Sequence, residues 1–403
     1  MPVDDDPAGS LLVPAGSRAA AVPLLALCGA WAATRLGMTV LLVTDDVGIG
    51  GVSTEVYVLY ARWYGLLLGG SFPPDDPTWQ YPPGAGAVIL APALFPWLTY
   101  FQAFALLALL ADAVVTVALA RAGGAAGGGV WLWTGGLPLL LHIPLARYDV
   151  QVTALAVLGL LALNGRPRLG GALAGLGAAV KLWPLLTVLG TPRGRTTRLV
   201  WASAAAAATA SVAALALGLA RPFGFLWQQS GRGVQIESLG GSALALVRLL
   251  GGAGRVEYRY GAFEFTGPHV PLVARASLLL TAAAFLLLLL WRLRARRWSG
   301  ATPFDAALCA VLLFTVTSRV ISPQYLIWLL GLAAVCLTSR HTSQRPVALL
   351  LLPATALSTL AYPVLYQEVI DVTPLGSGVV LVRNGLLLAA AVLSARRLWS
   401  ATV

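Results

Sequence analysis

Five carboxylates crowd into one short stretch of an otherwise apolar chain, with Asp45, Asp46, Glu55, Asp75 and Asp76 all falling within residues 44–81. Tyr57, Tyr60, Trp63, Tyr64, Trp79 and Tyr81 are interleaved with them. Further along, Arg147 and Asp149 flank Tyr148, Lys181 opens Lys-Leu-Trp-Pro, and Arg319 precedes Ile321-Ser322-Pro323-Gln324-Tyr325. These types suit one chemistry. A carboxylate can take the proton of an attacking hydroxyl. An aromatic face such as Trp63, Trp79 or Tyr81 can stack on a sugar ring, and a cation can compensate a phosphate as it departs. Lys181 is the only lysine among 27 basic residues, so a compact ammonium suited to holding phosphate is one reading and snorkelling to an interface is the other. Arg147 either faces a donor phosphate or pairs with Asp149 to orient the turn, while Gln324 can hydrogen-bond sugar hydroxyls. His269, after Gly267-Pro268, is a candidate for the acceptor side; His142, among Leu141, Ile143 and Pro144, reads as structural.

The elements that must position these residues are membrane helices. The chain has 403 residues, 58% of them hydrophobic and 11% charged, against roughly 25% charged in soluble domains. Its mean hydropathy of +0.80 excludes a soluble globule. Apolar runs at 21–43, 100–120, 129–145, 150–163, 199–219, 271–291, 304–318, 322–338, 346–364 and 378–395 predict an all-α polytopic protein with about ten spans. Arg18, Arg121, Arg166/Arg168, Arg193/Arg195/Arg198, Arg292/Arg294/Arg296/Arg297, Arg340/Arg345 and Arg396/Arg397 all lie inside under the positive-inside rule. The net charge of +11 therefore marks orientation, and nucleic acid is not an expected partner. Both termini are expected in the cytoplasm, with tails at 1–20 and 398–403 around a single transmembrane domain at 21–397. Cys28, Cys309 and Cys336 read as buried hydrophobes.

Two segments predict something other than a simple crossing. Residues 170–192 are broken at Lys181-Leu182-Trp183-Pro184 and read as paired half-helices with an outer apex. Residues 82–98, opened by Pro82-Pro83, read as a juxtamembrane or re-entrant helix. Irregular backbone at membrane depth survives only beside protein or a cavity. The outer face then receives loops 44–99 and 220–270 and nearly every unusual polar residue. Within the first loop, Val56, Leu59, Tyr60, Trp63 and Leu67 recur at helical spacing and predict an interfacial helix; 242–250 predicts a second. Arg35 and Asp112, deep in the first two spans, are expected to pair, because an unpaired charge at that depth costs at least ~2.5 kcal/mol.

The order TEVYxLYxRWYGxLxxG, FPxDDPTWQYPPGAG, ARYD, AAVKLWPLL and TSRVISPQYLIWLLGL resembles glycosyltransferase family 87, the polyprenol-phosphate-mannose-dependent α-mannosyltransferases and relatives of actinobacterial cell-envelope assembly. The likeness runs from about residue 40 to 340, and YPP and SPQY are its most specific pieces. It implies a GT-C architecture and an inverting hexosyltransferase on the outer face of the cytoplasmic membrane. A sugar, mannose first, would pass from a polyprenyl-phosphate donor to a lipid or glycan acceptor. It also implies an acidic base in the first outer loop. Glu55 is the nearest match, yet alignment on Tyr60 and Trp63 puts the family acid at Val56, so Asp45, Asp46, Asp75 and Asp76 stay open as alternatives. Arg147, Lys181 and Arg319 are the expected phosphate contacts; Tyr60, Trp63, Trp79, Tyr81, Asp149, Gln324, Tyr325 and His269 the expected sugar or acceptor contacts. No cofactor is expected, with a divalent metal on the loop carboxylates the less favoured alternative. With no glycine fingerprint for a dinucleotide and no DxD-like pair in a nucleotide-binding domain, a nucleotide-sugar donor is not expected. Competing readings are a flippase or secondary transporter of lipid-linked sugars and a non-catalytic lipid-binding scaffold.

Overall fold

A computed structural model describes residues 15–49, 51–73, 76–228 and 232–403. Along the chain its helices are α1 (Ala15–Thr44), α2 (Ala61–Leu68), α3 (Gly84–Leu90), α4 (Tyr100–Gly123), α5 (Gly128–Gly136), α6 (Asp149–Leu163), α7 (Pro167–Val180) and α8 (Arg195–Gly218). There follow α9 (Phe225–Gln228), α10 (Leu239–Leu249), α11 (Val270–Arg294), α12 (Thr302–Thr317), α13 (Tyr325–Cys336), α14 (Arg345–Thr359), α15 (Tyr366–Ile370) and α16 (Pro374–Thr402). The protein is an all-α polytopic membrane protein. Among the described residues, six of these helices (α1, α4, α8, α11, α14 with its final turn, and α16) are long and apolar enough to cross a bilayer. They carry the exposed apolar surface, such as Leu279, Leu286 and Leu289 on α11, that suits contact with lipid tails.

The other four expected spans are shorter and lie inside. Every residue of α13 from Leu326 to Cys336 is buried, as is nearly all of α12. The run at 129–145 is α5 followed by two 3-10 turns, interrupted at Leu141 with φ +50. A 12-residue helix is about 18 Å long, well short of ~30 Å of hydrocarbon. Because neighbours satisfy them on all sides, α6, α12 and α13 do not need full-length spans. Their ends leave polar turns recessed among longer helices.

Small residues set the close approaches. Gly171 and Gly175, four apart on α7, lie against the α8 carbonyls of Val200 and Ala204, where any side chain would collide. Gly84, after Tyr81-Pro82-Pro83, sits where a Cβ would come within 2.5 Å of the Ala179 carbonyl. That approach draws Tyr81 against the end of α7. There the chain breaks as expected, with Lys181 extended and a 3-10 segment, Trp183–Gly190, leading away.

Three expectations need correction. Cys28 is exposed, whereas Cys309 and Cys336 are buried as expected. The segment from Glu55 to Leu68 buries Val56, Tyr60, Trp63 and Leu67 against protein while Tyr57, Val58 and Leu68 stay exposed, so the face expected at the membrane surface packs inward. Residues 398–402 are not a free tail, because α16 continues to Thr402 and Trp291 donates to its hydroxyl at 2.8 Å. Most of the expected N-terminal tail lies outside the described residues.

The 220–270 loop holds α10, as predicted for 242–250, and also a small sheet of order β1-β3-β2: β1 (Val234–Gln235), β2 (Arg255–Arg259) and β3 (Ala262–Thr266). Tyr260 and Gly261, both at positive φ, turn β2 into β3. Gln80 Nε2 donates to the Tyr260 carbonyl at 3.3 Å, so the hairpin tip rests on the Trp79-Gln80 segment.

Candidate active site

The turn Arg147-Tyr148-Asp149, just ahead of α6, carries two adjoining charged clusters. In the first, Arg147 Nη1 donates to the carbonyls of Val52 (3.1 Å) and Ala146 (2.8 Å), while Nη2 lies 3.4 Å from Glu55. The Arg147 side chain is 7% exposed and that of Glu55 28%, so the acid is the open member of a pair whose cation is held from behind. Tyr362, in the turn that follows α14, lies within electrostatic reach of Arg147.

Glu55 opens a π-helical turn, Glu55–Tyr60, that runs directly into α2. A π-turn holds one residue more than the α-turn it replaces. This bears on the register conflict: one extra residue between the acid and Tyr60 is what such a turn absorbs. Val56, the competing position, is fully buried.

In the second cluster, Lys181 Nζ donates to Asp149 Oδ1 at 2.7 Å and Trp328 Nε1 to the same oxygen at 2.6 Å. Four rings surround the ammonium, with centroids 5.0 Å away for Tyr148 and Trp328, 5.5 Å for Tyr81 and 5.9 Å for Tyr325. Lys181 is thus not a bare ammonium awaiting an anion, because Asp149 neutralises it and ring faces stabilise it. Asp149 is fully buried, which removes it as a direct sugar contact, and its Oδ2 has no hydrogen-bond partner. Tyr148 joins the clusters, its ring 5.8 Å from Tyr60 and 5.3 Å from Tyr81.

Arg319 reaches the same region by another route. Its Nη1 donates to the Arg232 carbonyl (2.8 Å), and its own carbonyl accepts from the Gln235 amide (3.0 Å). Arg232 pairs with Glu264 of β3 at 3.3 Å. The turn after α12 is therefore tied to the outer sheet. Gln324 accepts from Ser322 at 2.7 Å, and Tyr325 stacks on Trp328 at 4.0 Å. Tyr81, Gln324 and Tyr325 are half-buried and keep exposed surface.

The remaining loop acids have other occupations. Asp45 accepts from the Val52 and Ser53 amides, the Ser53 hydroxyl and His142 Nε2 (2.8 Å). Burial would raise its pKa, but these bonds outweigh burial and hold it below the ordinary carboxylate value. Asp76 likewise is held low against the effect of burial, by Thr78, Trp63 and Arg62. Asp46 is exposed, with no contact to either cluster. Asp75 lies outside the described residues.

Other expected sugar contacts do not fit. Trp63 and Trp79 are 0% and 2% exposed and meet edge to face at 4.9 Å, and Tyr60 is 1% exposed. Their ring faces are spent on each other, on Phe72 and on Phe104, leaving none for a sugar. His269 is exposed at the start of α11 and is not among the residues brought together. Arg35 and Asp112 form a two-point pair at 2.8 Å, which Trp31, Trp133 and the Thr134 carbonyl complete.

Several neighbours lie outside the expected contact residues. Arg232, Tyr362 and Tyr258 surround the clusters; Tyr258 on β2 is within electrostatic reach of Glu55, Arg147 and Asp76. Glu237 lies behind them, fully buried beside Arg383, whose Nη2 donates to the Glu237 carbonyl at 2.5 Å. Burial pushes the Glu237 carboxyl up to about 7 despite the nearby guanidinium. Arg383 had a signal, a lone arginine inside an apolar run.

The family model for glycosyltransferase family 87 matches residues 79–323, more than half the chain. The matched segment holds Tyr81, Arg147, Asp149, Lys181 and Arg319 and begins after Glu55. No curated protein and no solved structure matches.

Proposed function

Because the chain belongs to glycosyltransferase family 87, a membrane glycosyltransferase family by these helices, we propose that it moves a hexose, mannose first, from a polyprenyl phosphate to an acceptor hydroxyl. The acceptor is a lipid or glycan of the cell envelope, and the reaction runs on the outer face of the cytoplasmic membrane in a GT-C-type bundle. The observation that carries this reading is the Glu55–Arg147 pair. Of Asp45, Asp46, Glu55 and Asp76, Glu55 alone is both reached by solvent and backed by a buried cation.

In this mechanism Glu55 accepts the acceptor's hydroxyl proton as that oxygen attacks the anomeric carbon. The bond from that carbon to the phosphate oxygen breaks on the opposite side, so the configuration inverts. Arg147, itself held by the Val52 and Ala146 carbonyls, keeps Glu55 aimed. Arg319, Arg232 and the remaining N–H groups of Lys181 are the cations left to meet the departing phosphate, without any required metal. Tyr81, Tyr325 and Gln324 are the exposed groups left for the sugar. The recessed position of the clusters among longer lipid-facing helices supports a donor whose phosphate sits at the membrane surface on a polyprenyl chain.

Purified protein incubated with radiolabelled polyprenyl-phosphate-mannose and envelope lipids tests this reading. The wild type is expected to transfer label, and Glu55→Gln to lose about 10²- to 10⁴-fold in rate with donor binding kept. Donor binding by the wild type with no transfer to any acceptor would instead indicate a lipid-binding scaffold.

A further inference from the structure

A second feature lies far from these clusters, where α11, α12 and α16 converge. A cavity of about 320 Å³ opens there, lined by Leu288, Trp291, Leu313, Ala395 and Trp399, with Arg396 the one charged residue on its wall. Its volume is at the low end for ligand pockets and suits part of one flexible chain. The helix surface around its mouth is lipid-facing, with Leu287, Leu289 and Leu290 of α11 and Val392 of α16 exposed.

The charge beside it is one-sided. Backbone amides of Arg296 and Arg297 donate to the Thr402 carbonyl at 2.9 and 3.0 Å, which brings the arginine run after α11 onto the end of α16. Arg294, Arg296, Arg297, Arg396 and Arg397 are all exposed there. Arg292 lies 4.9 Å over the Trp298 ring. Asp305, in the first turn of α12, is buried and engaged by Thr342 and Ser343, so it does not offset these charges at the surface.

We propose that this cavity holds an acyl chain of an anionic diacyl phospholipid, with Arg396 and its arginine neighbours meeting the phosphate. An apolar slot explains the chain, and an unneutralised arginine rim with interfacial tryptophans explains the headgroup. Such a lipid would brace α11 against α16 at the end opposite the candidate active site.

Native mass spectrometry of the full chain, released from bilayers of equimolar phosphatidylglycerol and phosphatidylcholine, reads this out. Wild type is expected to retain phosphatidylglycerol selectively. Arg396→Ala and Arg397→Ala, surface changes that leave the fold intact, are expected to cut retention about fivefold per arginine. Ala395→Trp, which fills the slot, is expected to abolish it. Equal retention of both lipids by wild type, undiminished retention by Ala395→Trp, or displacement by a single-chain polyprenyl phosphate in place of the phospholipid would each overturn the proposal.

Discussion

Glu55 and Asp45 differ less in type than in what their surroundings leave them free to do. Asp45 accepts four hydrogen bonds and is held ionised, so it has no lone pair aimed at a substrate. Glu55 has one partner, at 3.4 Å, and an open side. Asp45→Asn is accordingly expected to act through loop order, lowering thermal stability along with rate. Glu55→Gln is expected to lower the rate alone, and parallel melting and transfer assays separate the two. The Arg35–Asp112 pair gives a purely structural test. Asp112→Asn leaves a buried guanidinium uncompensated and is expected to cost about 3–5 kcal/mol, read as a loss of monodisperse protein. Glu237 adds a pH dependence. Its folded-state pKa near 7 lies above the usual 4.5, so its contribution is fully present below about pH 4.5 and is lost as pH rises through about 7. Melting temperature measured across that window is expected to fall, and Glu237→Gln to flatten the slope.

Among elements, the breaks proved as informative as the helices. The apolar runs and the Lys181-Leu182-Trp183-Pro184 interruption were legible because hydropathy and proline act locally. The partners of Lys181 were not, because Asp149, Tyr81 and Trp328 come from three separate segments and meet it only after packing. Burial of Trp63 and Trp79 was hidden for the same reason, since an aromatic at an interface and one in a core read alike. The β2–β3 hairpin did carry a signal, alternating Val256, Tyr258 and Phe263, Phe265 around Tyr260-Gly261, which a loop of mixed polarity obscured. The π-turn at Glu55 left only a one-residue misfit as its trace. Packing also makes Gly84 a test at this scale. Gly84→Ala would drive a methyl into the Ala179 carbonyl and push Tyr81 off the Lys181 cage. Transfer is expected to fall at least about tenfold, with helical content by circular dichroism unchanged.

For the whole molecule, the two ends of the bundle differ in the use they make of charge. At one end Arg193 bonds the Arg292 carbonyl, Arg292 bonds Thr191 and Thr197, and Arg397 bonds the Ser343 carbonyl, so the basic segments between helices meet with few acids among them. At the other end Glu55, Arg147, Asp149, Lys181, Arg232 and Glu264 form opposite-sign pairs around recessed turns. We propose, on the positive-inside rule, that the first end faces the cytoplasm and the second faces outward. Tyr258, 65% exposed on the hairpin, and Arg297, exposed after α11, mark the two ends without belonging to the core. In a chain with Cys28, Cys309 and Cys336 replaced, Tyr258→Cys is expected to react with a membrane-impermeant maleimide in intact cells. Arg297→Cys is expected to react only after permeabilisation. The reverse pattern would put the carboxylate and its phosphate-facing arginines in the cytoplasm. That orientation would expose the site to nucleotide-activated sugars, and the case for a polyprenyl-linked donor on the outer face would fail together with the topology.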